Sequence, residues 1–264
     1  MRRLIPCLVV LFSLILGCEN APTSTSDPTN SSNLNPAAEG FNEKESDPKA
    51  IAIADEVMLA MGGRQNWDAT RYLSWNFFGA RRLLWDKQMG DVRIESGDGS
   101  FRALLNLNTM KGQVMVDGKM VSQPDSLSDY LEQAKSIWIN DSYWLVMPFK
   151  LKDSGVTLGY QGKEGNDEVL QLTFERVGRT PQNKYLVHVD GTTKLVNKWV
   201  FFTRATDEKP RFDNGWTDYK KYGGIQLSAG RGENRRLDDI RVYDQVPAHA
   251  FSSFEPIDWQ APGL

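Results

Sequence analysis

The sequence predicts a mainly β protein with two helices: a curved antiparallel sheet, or an incomplete, open β-barrel, with the helices on its concave face. Three observations lead there. Beyond residue 70, apolar and charged residues alternate along most of the chain, the period-two pattern of strands with one solvated face. Only two stretches change to helical spacing. Asp117-Gly118 stands between two such alternating stretches, a dipeptide that closes antiparallel hairpins.

The first helix is expected from Asp47. That residue can cap the helix with Pro48 at the first position, where a missing N–H costs nothing. Ala50, Ile53, Ala54, Val57, Met58 and Met61 then recur on one face, and Gly62-Gly63 ends the helix. Strands follow. Leu73, Trp75 and Phe77 share one face, then Leu83 and Trp85, Val92 and Ile94, and Phe101, Ala103, Leu105 and Leu107, with Arg82, Arg93, Glu95, Arg102 and Asn106 on the opposite, solvated face. Val114 and Val116 lead into Asp117-Gly118, and the chain returns through Met120. A second helix is expected to start at a capping-box-like Ser126/Asp129 and to gather Leu127, Tyr130, Leu131, Ala134, Ile137 and Trp138 on one face. The apolar run Tyr143 to Phe149 contains Pro148 and is not expected to form a central strand. Strands resume at Val156–Tyr160, Leu170–Phe174, Tyr185–Val189, Leu195–Thr203, Trp216–Tyr222, Ile225–Ala229 and Arg236–Tyr243.

The chain has 264 residues and divides into three parts on this reading: a signal peptide at 1–17, a lipidated Cys18 with a disordered tether to residue 46, and one domain at 47–264. Arg2 and Arg3 precede a short apolar stretch from Leu8 to Leu16, too short to span a bilayer permanently. The junction Leu14-Ile15-Leu16-Gly17-Cys18 resembles the bacterial lipobox. That resemblance implies cleavage before Cys18, acylation of it, and a firm anchor from several acyl chains. Glu19, where an Asp retains some lipoproteins at the inner membrane, leans toward the outer membrane, facing the periplasm. Fourteen of the twenty residues 19–38 are Ser, Thr, Asn or Pro, a composition that cannot offset its own ordering entropy.

Composition narrows the function. The net charge is -3, which gives no basic surface for nucleic acid. With two Cys and two His in the whole chain, no metal or Cys/His catalytic cluster is expected. His188 alternates with inward-facing Tyr185, Val187 and Val189 and is expected to be solvated; His249 falls in a late loop. No G-x-S-x-G elbow occurs, and Asp238 and Asp239 point to opposite faces of a strand. No catalytic residue, metal or organic cofactor is expected, and the chain reads as a non-enzyme.

Several motifs carry a resemblance. Met89-Gly90-Asp91-Val92-Arg93-Ile94-Glu95 and Val116-Asp117-Gly118-Lys119 resemble turns and hairpins of the bacterial lipoprotein carrier superfamily, LolA and LolB. Ala60-Met61-Gly62-Gly63 with Trp67, Tyr143-Trp144-Leu145, Pro148-Phe149-Lys150-Leu151, Asp153-Ser154-Gly155-Val156 and Thr180-Pro181 resemble a group of uncharacterised bacterial lipoproteins of the same kind of fold. The resemblance covers roughly residues 50–245. It implies an open barrel closed by helices and brings no assigned activity and no binding residue.

The eight Trp are the remaining feature. An apolar ligand cavity is expected to draw on Trp75, Phe77, Phe101, Trp138, Trp144 and Trp199. The function expected is therefore non-catalytic binding of a hydrophobic or lipidic ligand by a membrane-anchored protein. The alternative is a protein- or carbohydrate-interaction module with a filled core, which requires an exposed aromatic row such as Trp216, Tyr219 and Tyr222. The oligomeric state stays open.

Overall fold

The computed structural model describes residues 34–175 and 178–259. The expected signal peptide, Cys18 and most of the tether lie outside the described residues.

The fold is mainly β, built of curved antiparallel sheets that do not close into a barrel. Helix α1 (Pro48–Ala60) opens as expected, with the Asp47 carboxylate accepting from Lys49 N at 2.8 Å and Pro48 in the first turn. It ends at Gly62 and Gly63, both at positive φ. A Cβ on Gly62 would sit 2.3 Å from the carbonyl oxygen of Gly224, so this site needs glycine for space as well as for conformation. A short α2 (Arg64–Ala69) follows and buries Trp67.

Strands β1 (Tyr72–Phe77), β2 (Arg81–Asp86), β3 (Asp91–Ser96), β4 (Phe101–Asn106), β5 (Gly112–Val116), β6 (Lys119–Met120) and β14 (Leu237–Tyr243) make one sheet in the order β14-β1-β2-β3-β4-β5-β6. The β5–β6 turn has both Asp117 and Gly118 at positive φ, the geometry the Asp-Gly pair favours. A second sheet has the order β11-β10-β9-β8-β7, from β7 (Val156–Glu164), β8 (Asp167–Phe174), β9 (Lys184–Asp190), β10 (Val196–Phe202) and β11 (Phe212–Gly215). The hairpin β12 (Thr217–Tyr222) and β13 (Ile225–Gly230) joins the first sheet through a bridge between Gly230 and Arg236.

Helix α3 (Pro124–Val146) connects β6 to β7, the terminal strands of the two sheets, and packs on β3, β4, β5 and β13. It differs from expectation at both ends. Its N-cap is Gln123, without a side-chain cap bond, because Pro124 already supplies a helical φ at the first position; Ser126 and Asp129 lie inside the helix. At the other end it runs through Tyr143 and Trp144 to Val146, since nothing breaks it before Pro148; a 3-10 turn at Met147–Lys150 completes the segment.

Two apolar clusters lie on opposite faces of the larger sheet. Leu73, Trp75, Leu83, Val92, Ile94, Ala103 and Val114 point to the concave side, where they meet α1, Leu131 and Ala134 of α3, and the inner face of the second sheet. Leu131 is 5% exposed. Leu131→Asp would bury a carboxylate without a partner and is expected to cost about 3 kcal/mol. An unchanged melting temperature for that variant would contradict this packing.

The convex face departs from the expected polar-out pattern. Tyr72, Leu84 and Tyr243 pack there with Ala250 and Ile257, so the C-terminal segment covers part of this face. Arg93, expected in solvent, is 1% exposed beneath it.

The packed body also starts before residue 47. Ala38 N donates to Lys152 O at 3.0 Å, Asn42 N to Val156 O at 3.0 Å and Asp47 N to Leu158 O at 2.8 Å, so this segment lies along β7. Asn35 and Lys152 both donate to buried Asp55 at 2.7 Å. The domain boundary expected at 46/47 therefore falls too late. Composition hid this, because backbone bonds and one buried Asn anchor a segment that has few apolar side chains.

Candidate functional site

Ser136, Ile139, Asn140, Tyr143 and Trp144 recur at three- and four-residue intervals, so they share one face of α3. This face looks toward the inner side of the second sheet, from which β8 supplies Phe174, β9 Tyr185 and β10 Trp199. Strand alternation puts Tyr185 inward together with Val187 and Val189. The space between helix and sheet is a cleft of about 210 Å³. A second cleft of about 240 Å³ also has Tyr143 in its lining and is reached by Trp138, Ser142 and Val156. Ile139, Tyr143, Phe174 and Gly178 line both, so the two are neighbouring parts of one groove.

Aromatic contacts build its floor. Trp144 meets Trp199 edge-on at 4.8 Å, and Tyr185 stacks on Trp199 at 5.2 Å and 19°. Tyr143 lies 5.7 Å from Tyr185 and 6.0 Å from Trp199, and Phe174 meets Tyr185 edge-on at 5.7 Å. These edge and stacked geometries suit ring quadrupoles and hold the wall rigid. Burial pushes the Tyr185 phenol up to about 12 and the Tyr143 phenol well above its ordinary value, so both are neutral hydrogen-bond donors at physiological pH. The rim is polar: Arg179 pairs with the Glu132 carboxylate, and Lys150 with Asp153 at 2.5 Å.

The six aromatics expected to line one cavity are divided. Trp144 and Trp199 line the first cleft, and Trp138 the second. Phe101 borders a separate depression of about 440 Å³ between strand turns and α3. Trp75 has no exposed surface, and Phe77 sits behind Trp144 at 6.4 Å; both are packed core. Trp138 also continues a second aromatic chain through Trp85 to Trp67, which stacks on Phe149 at 4.3 Å. Ile139, Tyr143, Phe174 and Tyr185 were not foreseen as lining residues. The signal for Ile139 and Tyr143 was present: continuing the helix past Trp138 places both beside Ser136 and Asn140.

The aromatic row that the alternative function requires is not found at its named residues, and the expectation for His188 is corrected. Trp216 is 1% exposed and lies under the Arg231 guanidinium at 3.7 Å, so Trp216, Tyr219 and Tyr222 form no exposed row. His188 does point to the outer face but is only 2% exposed, flanked across the ladder by Val169 and Lys198 and approached by Asp167 and Glu164 at 3.8 and 3.9 Å. Desolvation holds its imidazole below the ordinary value, ahead of the repulsion from Lys198, while the carboxylates oppose the shift. Among the described residues no group of three or more His, Cys, Asp and Glu is placed to hold a metal ion, and no helix is long and apolar enough to cross a membrane.

These features define a curved, open antiparallel sheet with a helix laid across it and an aromatic groove under that helix. No protein-family model matches the chain, and no curated protein matches it. A crystal structure of a DUF1329 family protein from Desulfovibrio piger is similar, with a TM-score of 0.41 and 14% identity over 78% of this chain and 98% of that one. A likeness at that level transfers no ligand, partner or site.

Proposed function

We propose that this protein is a non-catalytic binder of a hydrophobic or lipidic ligand, held at the cell envelope by an acylated Cys18 and facing the periplasm from the outer membrane. The anchor rests on the Leu14 to Cys18 junction and the Arg2-Arg3 start. The observation that carries the binding role is the groove beside Tyr143, where half-buried Ile139, Trp144 and Phe174 offer apolar surface, backed by the buried Trp199. Each methylene buried there would contribute about 0.8 kcal/mol, so a short acyl chain suffices for measurable affinity. The resemblance to lipoprotein carriers agrees with this reading.

Filling the groove tests it. Ile139 is half-buried and lines both clefts. Ile139→Trp should abolish saturable binding of a fluorescent fatty-acid methyl ester while leaving the melting temperature within a few degrees. Saturable binding that is unaffected by Ile139→Trp would place the ligand elsewhere, and absence of any saturable binding to the unaltered protein would remove the role.

A further inference from the structure

We propose that the groove beside Tyr143 selects an uncharged apolar ligand that carries a carbonyl-type oxygen, which accepts a hydrogen bond from the Tyr143 hydroxyl. This inference rests on the groove being a ligand site. The Tyr143 hydroxyl is buried, makes no hydrogen bond, and belongs to a ring that lines both clefts. A buried donor without an acceptor is costly, and native proteins seldom keep one without a use. On either side of it, the indole N–H groups of Trp199 and Trp138 are also buried without acceptors. Indoles of Trp75, Trp85 and Trp216 and the Tyr243 phenol share that state away from the groove, so Tyr143 stands out as the one unpartnered phenol, among the described residues, that lines it. Burial keeps it protonated, and it can therefore only donate to a neutral or anionic oxygen or accept from a donor.

Charge separates those choices. Among the described residues, the two cations that line the groove, Arg179 and Lys150, are each already paired, with Glu132 and Asp153. A carboxylate drawn in beside Tyr143 and Phe174 would lose its hydration and meet no unpaired cation among the described residues that line the groove. An ester, amide or ketone oxygen loses far less on entry and still satisfies the phenol. The selected class is thus a neutral carbonyl on an apolar chain or ring, whether from a membrane lipid or from a free metabolite.

The test uses three probes of one chain length: a bromine-terminated alkane, the bromine-terminated methyl ester, and the corresponding carboxylate. Each quenches Trp fluorescence on contact, and Trp138, Trp144 and Trp199 line the groove. The full chain is kept in a fluorinated surfactant, which mixes poorly with hydrocarbon ligands. The ester should bind roughly fivefold more tightly than the alkane, as one neutral hydrogen bond allows. At neutral pH the carboxylate should bind more than tenfold more weakly than the ester. Tyr143→Phe should reduce the ester to the affinity of the alkane and leave the alkane unchanged. That variant removes only an unpaired buried hydroxyl, so its fold and melting temperature should be retained or improved. If the alkane binds but Tyr143→Phe leaves the ester-to-alkane ratio as it was, water satisfies the phenol and the inference fails while the groove remains a ligand site. A carboxylate that binds as tightly as the ester would also overturn it. If none of the probes quenches saturably, the ligand site itself is refuted, and the inference with it. An ester of a polycyclic alcohol, run in parallel, separates chain ligands from ring ligands.

Discussion

Replacing Arg93 with Ala is expected to cost about 4 kcal/mol and to detach the C-terminal segment from the sheet. Arg93 sits on the convex face of β3, next to Leu84 and Leu104 in the ladder, with 1% of its surface exposed. Its guanidinium pairs with Glu95 at 2.5 Å and donates to the carbonyl oxygens of Ala250, Ser253 and Glu255 at 3.2, 2.8 and 2.8 Å. Three carbonyls of an irregular segment thus converge on one side chain, which can serve them all because its donors are fixed in one plane. Without it the carbonyls lose their partner, and the apolar cover of Tyr72, Leu84 and Tyr243 by Ala250 and Ile257 loosens. Urea unfolding should show the lower midpoint, and hydrogen exchange should show lost protection at residues 246–259. Glu95→Gln should have a much smaller effect, since the carbonyl bonds persist. Unaltered protection of residues 246–259 in Arg93→Ala would mean that apolar contacts alone hold the segment.

Arg231→Ala is expected to be at least as damaging, near 4 kcal/mol, and to act on the other side of the molecule. Arg231 has no exposed surface. It donates to the carbonyl oxygen of Trp144 through Nε at 3.1 Å and through Nη2, and through Nη1 to Ser228 Oγ at 2.9 Å and Gly230 O at 2.7 Å. Trp144 lies in the last turn of α3, where backbone carbonyls lack helical partners and carry the negative end of the dipole. Arg231 therefore fixes the end of the helix that forms the groove. Its described hydrogen bonds all go to neutral oxygens, and burial pushes the guanidinium down to about 9, so it stays charged at neutral pH at a desolvation cost. The depressed value means this cost is fully present below about pH 9 and is relieved as pH rises toward the unfolded value of 12.5. Arg231→Met removes the buried charge and keeps the packed stem over Trp216, so it should lose only about half as much as Ala. Thermal unfolding of the two variants decides the matter. If Met is as harmful as Ala, the hydrogen bonds to Trp144, Ser228 and Gly230 outweigh packing and desolvation together. In either variant, the proposed binding of a hydrophobic ligand in the groove should weaken along with the position of Trp144.

Much of the architecture was legible in the chain. Period-two alternation marks β1 to β5 because the concave face of that sheet is buried along its length and every second side chain there has to be apolar. Asp47-Pro48 and Gly62-Gly63 bound α1 because capping and positive φ are local matters, settled by two residues each. Asp117-Gly118 fixes its turn for the same reason. The end of α3 was misread because the apolar run Tyr143 to Phe149 satisfies helix and buried strand alike, and only its continuity with the preceding turns decides between them.

What the sequence determined by itself was thus the set of elements and which face of each is apolar, since these follow from backbone geometry and the partition of side chains from water. Tertiary structure alone decided what covers each face. Arg93 and His188 read as solvated residues because alternation places them outward; a returning segment buries the first, and ladder neighbours bury the second. Trp75 and Trp199 look equivalent in sequence, each on an inward face. Both end fully buried, yet Trp199 backs the groove and Trp75 lies away from it, because α3 packs on strands of the first sheet. Cavities and buried charges arise from the mismatch between packed surfaces, and that mismatch depends on pairs of residues far apart in the chain, such as Tyr143 with Phe174 and Arg231 with Trp144. No local pattern encodes the distance between them.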